Sequence, residues 1–262
     1  MTFAWQGLYL EHPPDWAPAA LNGDRKEGYV RIADSAESYL QLRWKTASAK
    51  PESSTVNNYL DRLSKDAQRA GRCFERKVAE KGLGVEYSYK SELHARGVLF
   101  RPCDGDRIVF LEVVGSSPSA LAGPFREAVS SFGLSGGPME RWSILGLDVL
   151  LPCSLALSSH ELRAGKTTIR MQGKGMTVMA ERWGFAAQLL AKHELPSWAA
   201  AVAGVGGGRV TETDDGVELS LRRSLFPSVY VLAKVQPVQN QISVIKVETR
   251  NASEKPQWNW FV

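Results

Sequence analysis

The chain repeats itself, and the repeat decides how it can fold. Residues Val30 to Trp44 read VRIADSAESYLQLRW, and residues Ile169 to Trp183 read IRMQGKGMTVMAERW. The segments align without a gap at an offset of 139, and both close on an Arg-Trp pair, Arg43-Trp44 and Arg182-Trp183. Upstream the same offset sets Gly7-Leu8-Tyr9-Leu10-Glu11-His12-Pro13 against Gly146-Leu147-Asp148-Val149-Leu150-Leu151-Pro152, and Trp5 and Trp142 precede these segments with two extra residues in the second copy. A repeat of this length makes each copy one folding unit. The expected domains are residues 1–137 and 138–262, joined at Ser135-Gly136-Gly137-Pro138, where Gly and Pro punctuate the chain. Copies of this size bury about two thirds of their unfolded surface without a disulfide or a metal.

Periodicity gives each copy the same plan. Trp5 to Glu11 alternates apolar and polar residues and reads as one strand, stopped by Pro13-Pro14. Tyr29 to Ile32 and Tyr39 to Trp44 read as a hairpin around Asp34-Ser35-Ala36-Glu37. Val56, Tyr59, Leu60, Leu63 and Ala67 recur at helical spacing after the N-cap candidates Ser53, Ser54 and Thr55, with Gly71 as the stop. Strands are expected at Val85 to Tyr89, Val98 to Arg101 and Ile108 to Val114, then a helix from Pro118 to Phe132. The second copy repeats this at Ile144 to Leu151, Thr167 to Met171, Thr177 to Arg182, a helical region of two segments, Phe185 to His193 and Pro196 to Ala203, and strands at Val217 to Arg222, Ser228 to Val235 and Ile242 to Glu248. The last helix has no second counterpart; a tail ending Trp258-Asn259-Trp260-Phe261-Val262 stands in its place. The fold class expected is α+β, two tandem copies of an antiparallel sheet flanked by helices, because the connections are too short for repeated parallel crossovers.

This plan resembles the Mog1/PsbP-like superfamily in tandem. The residues that carry the resemblance are the Trp-led first strand running into Pro13-Pro14-Asp15-Trp16, the hairpin, the amphipathic helix, and a closing helix ending Ser131-Phe132. It covers most of the first copy and less of the second, where Pro152-Cys153-Ser154-Leu155 lacks the tryptophan. The resemblance implies an accessory, assembly or binding role and supplies no catalytic residue.

The charge pattern argues against a nucleic-acid partner. Up to Gly137 there are 18 basic and 17 acidic residues, and beyond it 14 and 11, interleaved in both halves. Phosphate-backbone affinity needs a clustered basic face. No apolar run reaches the roughly 18 residues that span a bilayer, and the first residues lack a basic stretch followed by an apolar one, so the expected compartment is the cytoplasm. Cys73, Cys103 and Cys153 are odd in number and widely spaced, unlike a disulfide framework or a zinc knuckle.

No motif organises catalysis, and no cofactor or metal is expected. Gly165-Lys166-Thr167-Thr168 has the end of a phosphate-binding loop, yet His160 stands where the leading glycine belongs and a strand follows instead of a helix. Gly204 to Gly208 follows a helix, the reverse of the dinucleotide fingerprint. His12, His94, His160 and His193 pair with no ligand at metal spacing and read as surface or turn residues. Cys103 lies between Arg101 and Arg107 at an expected hairpin tip, a setting that can lower a thiol pKa, and as a nucleophile it needs a base such as His94.

The candidate partner-binding residues are Arg43 and Arg182, which serve either packing or a shared surface, and Trp258, Trp260 and Phe261, which dock either on the chain's own body or on a partner. The expected function is that of a non-enzymatic accessory, adaptor or assembly protein that binds another protein. The alternative is a small-molecule or lipid binder using a groove between the two domains.

Overall fold

A computed structural model describes residues 1–35, 37–47, 51–81, 84–102, 106–222, 226–250 and 260–261. The chain divides into two compact units, Met1–Ser135 and Gly136–Val262.

Unit 1 contains β1 (Thr2–Trp5), β2 (Leu8–Glu11), β3 (Ala17–Gly23), β4 (Glu27–Ala33), β5 (Tyr39–Thr46), α1 (Ser53–Arg69), β6 (Glu75–Lys81), β7 (Gly84–Lys90), β8 (His94–Phe100), β9 (Arg107–Gly115), α2 (Pro118–Ser131) and β10 (Gly133–Leu134). Seven of these strands form an antiparallel sheet in the order β3-β4-β5-β9-β8-β7-β6. Alternation along the strands gives the sheet two faces. Helix α1 lays Val56 and Leu60 on one face against Val85, Tyr87 and Leu99. Burying each of these aliphatic side chains stabilises by about 2 kcal/mol. Helix α2 covers the other face: Phe132, just after it, meets Phe100 edge-on, and Arg96 lies over Phe125. The β1–β2 hairpin belongs to that same side, where Arg107 Nη1 donates to the Gln6 carbonyl at 2.6 Å.

Unit 2 contains β11 (Met139–Ile144), β12 (Leu147–Pro152), β13 (Ala156–Arg163), β14 (Lys166–Gly173), β15 (Met176–Gly184), α3 (Ala186–Leu190), α4 (Leu195–Ala203), β16 (Arg209–Thr213), β17 (Gly216–Leu221), β18 (Ser228–Gln236) and β19 (Gln241–Thr249). Its sheet runs β13-β14-β15-β19-β18-β17-β16, the same topology strand for strand. The repeat therefore extends well beyond the segments that align in sequence.

The expectation of an α+β fold flanked by helices is overturned. Among the described residues strand accounts for 54% and helix for 19%, so the structure is mostly antiparallel sheet with few helices. Two kinds of strand escape periodicity. Edge strands such as β6 (ERKVAEK) and the fully exposed β16 (RVTET) face water broadly and carry no apolar alternation. The stretch from Trp5 to Glu11 is not one strand either, because the chain reverses at Gln6-Gly7 between β1 and β2. Both turn residues have positive φ, 54° and 79°, and Leu145-Gly146 repeats the geometry at 49° and 80°. This two-residue turn matches strand twist and leaves the apolar alternation uninterrupted in sequence. The two helical segments expected in the second copy are the short helices α3 and α4.

The ungapped alignment also slips by one residue. Val30 pairs with Leu42, whereas its counterpart Ile169 pairs with Ala180. The offset is 139 in β4/β14 and 138 in β5/β15, so Trp44 corresponds to Arg182 and Lys45 to Trp183. A one-residue slip turns every side chain to the opposite face. Trp44 accordingly points away from α1, with its ring over Gly28 and its Nε1 donating to the Asp24 carbonyl at 2.7 Å. Trp183 points toward the helices of unit 2 and meets Trp198 of α4 edge-on at 5.5 Å.

Candidate functional site

The α1-bearing face of unit 1 carries a buried carboxylate. Glu112 on β9 is fully buried. One row across four strands reads Gln41, Glu112, Gly97, Tyr87. Gly97 is what allows the row to close. A Cβ there would stand 2.2 Å from the Tyr87 ring and hydroxyl, so only glycine lets the ring lie across β8. The Tyr87 hydroxyl then donates to Glu112 Oε2 at 2.7 Å. Gln41 Nε2 donates to Oε1 from the other side. From α1, the Tyr59 hydroxyl reaches both oxygens at 3.3 and 3.2 Å. Tyr59 and Tyr89 are hydrogen-bonded in turn.

The electrostatics follow from burial. Desolvation raises the Glu112 pKa, against the pull of the donors Tyr87, Gln41 and Tyr59. Desolvation also raises the phenols of Tyr59, Tyr87 and Tyr89, and the nearby Glu112 charge pushes them further. All three phenols remain protonated donors at neutral pH. The cluster is a buried carboxyl group held by donors from β5, β7 and α1.

Beyond α1 the same face opens at the β3–β5 end. Arg43 is exposed, and Tyr29, Arg31 and Tyr39 are half-buried. The Arg31 guanidinium lies 3.8 Å over the Tyr39 ring and Arg43 lies 5.3 Å over Tyr29. Arg43 Nη2 also reaches Gln41 Oε1 at 3.4 Å, which links the open surface to the buried network. Among its described residues unit 2 forms no such cluster. At the equivalent row stand Met179, Lys246, Val231 and Leu219, joined by the same strand pairing.

The residues singled out from sequence fall in different settings. Arg43 belongs to the open face. Arg182 lies on the side of its sheet away from α4, where Nε donates to Gln241 Oε1 at 2.8 Å, and burial lowers its pKa. The two arginines are therefore not equivalent positions of one repeated surface. Trp260 is buried, and its carbonyl accepts the Leu150 N–H at 2.7 Å, while Phe261 bridges to Val149. Both dock on β12 of their own unit. Trp258 and Cys103 lie outside the described residues. Lys166, at the suspected phosphate loop, starts a strand, ion-pairs with the buried Glu181 at 3.0 Å and lies over Trp183. His12 departs from the surface reading: it is buried, with Nδ1 2.8 Å from the Pro13 carbonyl and its pKa lowered by desolvation.

Sequence reasoning missed Glu112 and its tyrosines. The signal present was one acidic residue inside the apolar run of β9, Ile108 to Val114. Among the described residues no group of three or more His, Cys, Asp or Glu is placed to hold a metal ion. No protein-family model matches this chain, and no curated protein matches it.

Proposed function

We propose that the chain is a non-enzymatic accessory or adaptor protein that binds another protein through the open half of the α1-bearing face of unit 1. The observation that carries this reading is the pair of arginine–tyrosine stacks, Arg31 on Tyr39 and Arg43 on Tyr29, on a sheet face backed by Glu112. Arginine and tyrosine are enriched where binding energy concentrates, and side chains pre-stacked on a sheet lose little entropy on docking. The resemblance to tandem Mog1/PsbP-like domains supports a binding role in the same direction. Interleaved charge supports a protein partner over nucleic acid.

No helix among the described residues is long and apolar enough to cross a membrane. We assign the protein to the cytoplasm. The unpaired, exposed Cys73 and Cys153 support a reducing compartment.

The test is quantitative co-purification from the native host with wild type and a Tyr29→Ala/Arg43→Ala variant. One stoichiometric partner, retained by wild type and weakened at least about tenfold by the double substitution, is expected from the loss of two interface anchors. Equal retention by both proteins overturns the assignment of the face.

A further inference from the structure

A separate feature lies on the opposite face of the same sheet. Between the first turn of α2 and the β6–β7–β8 end of the sheet there is a cleft of about 510 Å³. Ligand sites commonly span about 300–1,000 Å³, so the volume suits a small organic molecule. One wall is apolar, from Leu121 and Ala122 of α2. The sheet wall is basic. Lys77, Ser88 and Arg96 form one cross-strand row, and Lys90 and His94 pair in the next.

The cations differ in what holds them. The Arg96 guanidinium lies 4.4 Å over the Phe125 ring and 3.4 Å from Glu86, which fixes its orientation. Lys77 and Lys90 make no side-chain hydrogen bond or ion pair with the described residues. Diagonal neighbours on adjacent strands lie about 7 Å apart, within reach of one shared anion. Glu75 is the single carboxylate in the cleft and sits across from Lys90. Two ammonium groups with no partner among the described residues, beside an oriented guanidinium and facing an apolar wall, form a site for a negative head with a hydrocarbon body.

We propose that this cleft binds a small organic anion with an apolar body, of the carboxylate-bearing acyl or aryl class, with Lys77 and Lys90 holding the head and Leu121 and Ala122 packing the body. The site is independent of the protein-docking face, so either assignment can fail alone.

The experiment titrates the full chain with octanoate and follows backbone amide shifts by NMR. Inorganic phosphate supplies the charge-only arm, and octyl glucoside the apolar-only arm. The expected result is saturable octanoate binding, with shifts concentrated in β6 to β8 and the start of α2, and at least about tenfold weaker binding of both other probes, a difference of about 1.4 kcal/mol. Lys77→Gln/Lys90→Gln weakens octanoate binding at least about tenfold with an unchanged thermal midpoint, and Ala122→Trp blocks it by filling the cleft. No saturable octanoate binding, or binding insensitive to both variants, overturns the site. Phosphate binding as tightly as octanoate overturns the ligand class by showing that charge alone suffices. Octyl glucoside binding as tightly overturns the anion requirement.

Discussion

Glu112 shows how a single buried charge organises its surroundings. Removing its side chain by Glu112→Ala leaves the Tyr59 and Tyr87 hydroxyls and the Gln41 amide facing a void. Leaving buried donors unpaired costs about 3 kcal/mol, to be read as a fall in urea-unfolding free energy at pH 7. A loss under about 1 kcal/mol would show that these donors find other partners or water. The acid itself makes the network pH-sensitive. Its folded-state pKa is raised above the ordinary value of 4.5. A raised carboxyl pKa means that the unfolded state ionises first as pH rises. The contribution of this group is therefore full below about pH 4.5 and is lost as pH climbs through the raised folded-state value. The Glu112→Gln variant cannot ionise at this position. Unfolding measured from pH 4 to 8 is expected to show wild type losing stability relative to that variant across the window. Parallel curves would mean that the donors fully offset desolvation.

Among the elements, the hairpins teach most about the repeat. The β4–β5 and β14–β15 hairpins share topology but differ by one residue in register, and that residue decides which face each tryptophan serves. Trp183 packs under α4 through Trp198. Trp44 lies on the side of its sheet away from α1. Truncating a buried tryptophan costs about 3–5 kcal/mol, so Trp44→Ala should destabilise by that amount and Trp183→Ala, at a half-buried side chain, by less. Their local effects should differ. Hydrogen exchange is expected to show faster opening of α4 amides in Trp183→Ala, and α1 protection in Trp44→Ala falling only as far as the rest of unit 1. Selective loosening of α1 in Trp44→Ala would contradict the assigned register. The same slip explains why two identical Arg-Trp dipeptides do not make two identical surfaces.

The whole molecule is two units with one topology and separate specialisations. Unit 1 carries the closing helix α2 after its last long strand, the Glu112 network and the basic cleft. Unit 2 fills the corresponding row with Met179, Lys246, Val231 and Leu219 and caps its β12 with Trp260 and Phe261. Trp260 and Phe261 are thus held by unit 2. Trp260→Ala is expected to cost about 3 kcal/mol and to speed hydrogen exchange in β11 and β12, while the strands around Glu112 keep their protection. Uniform loss across both units would show that they unfold as one cooperative body. Unchanged stability would show that Trp260 adds nothing to β12.

Sequence by itself determined the repeated strand pattern, the amphipathic α1 and α2, and most of the inner strands, because these are local: alternation, helical spacing and Gly/Pro punctuation are visible within a dozen residues. It did not determine the polar edge strands or the tight turns inside apolar alternation, which is why helix was overweighted against sheet. The tertiary structure alone decided the site. Gln41 and Glu112 are 71 residues apart and Tyr59 and Glu112 are 53 apart. Only the pairing of β5 with β9 and of β8 with β7, and the packing of α1 on that face, brings them within hydrogen-bond reach. Register is a long-range property, set when apolar faces find each other across the sheet, and a shift of one residue would have placed Glu112 on the opposite face.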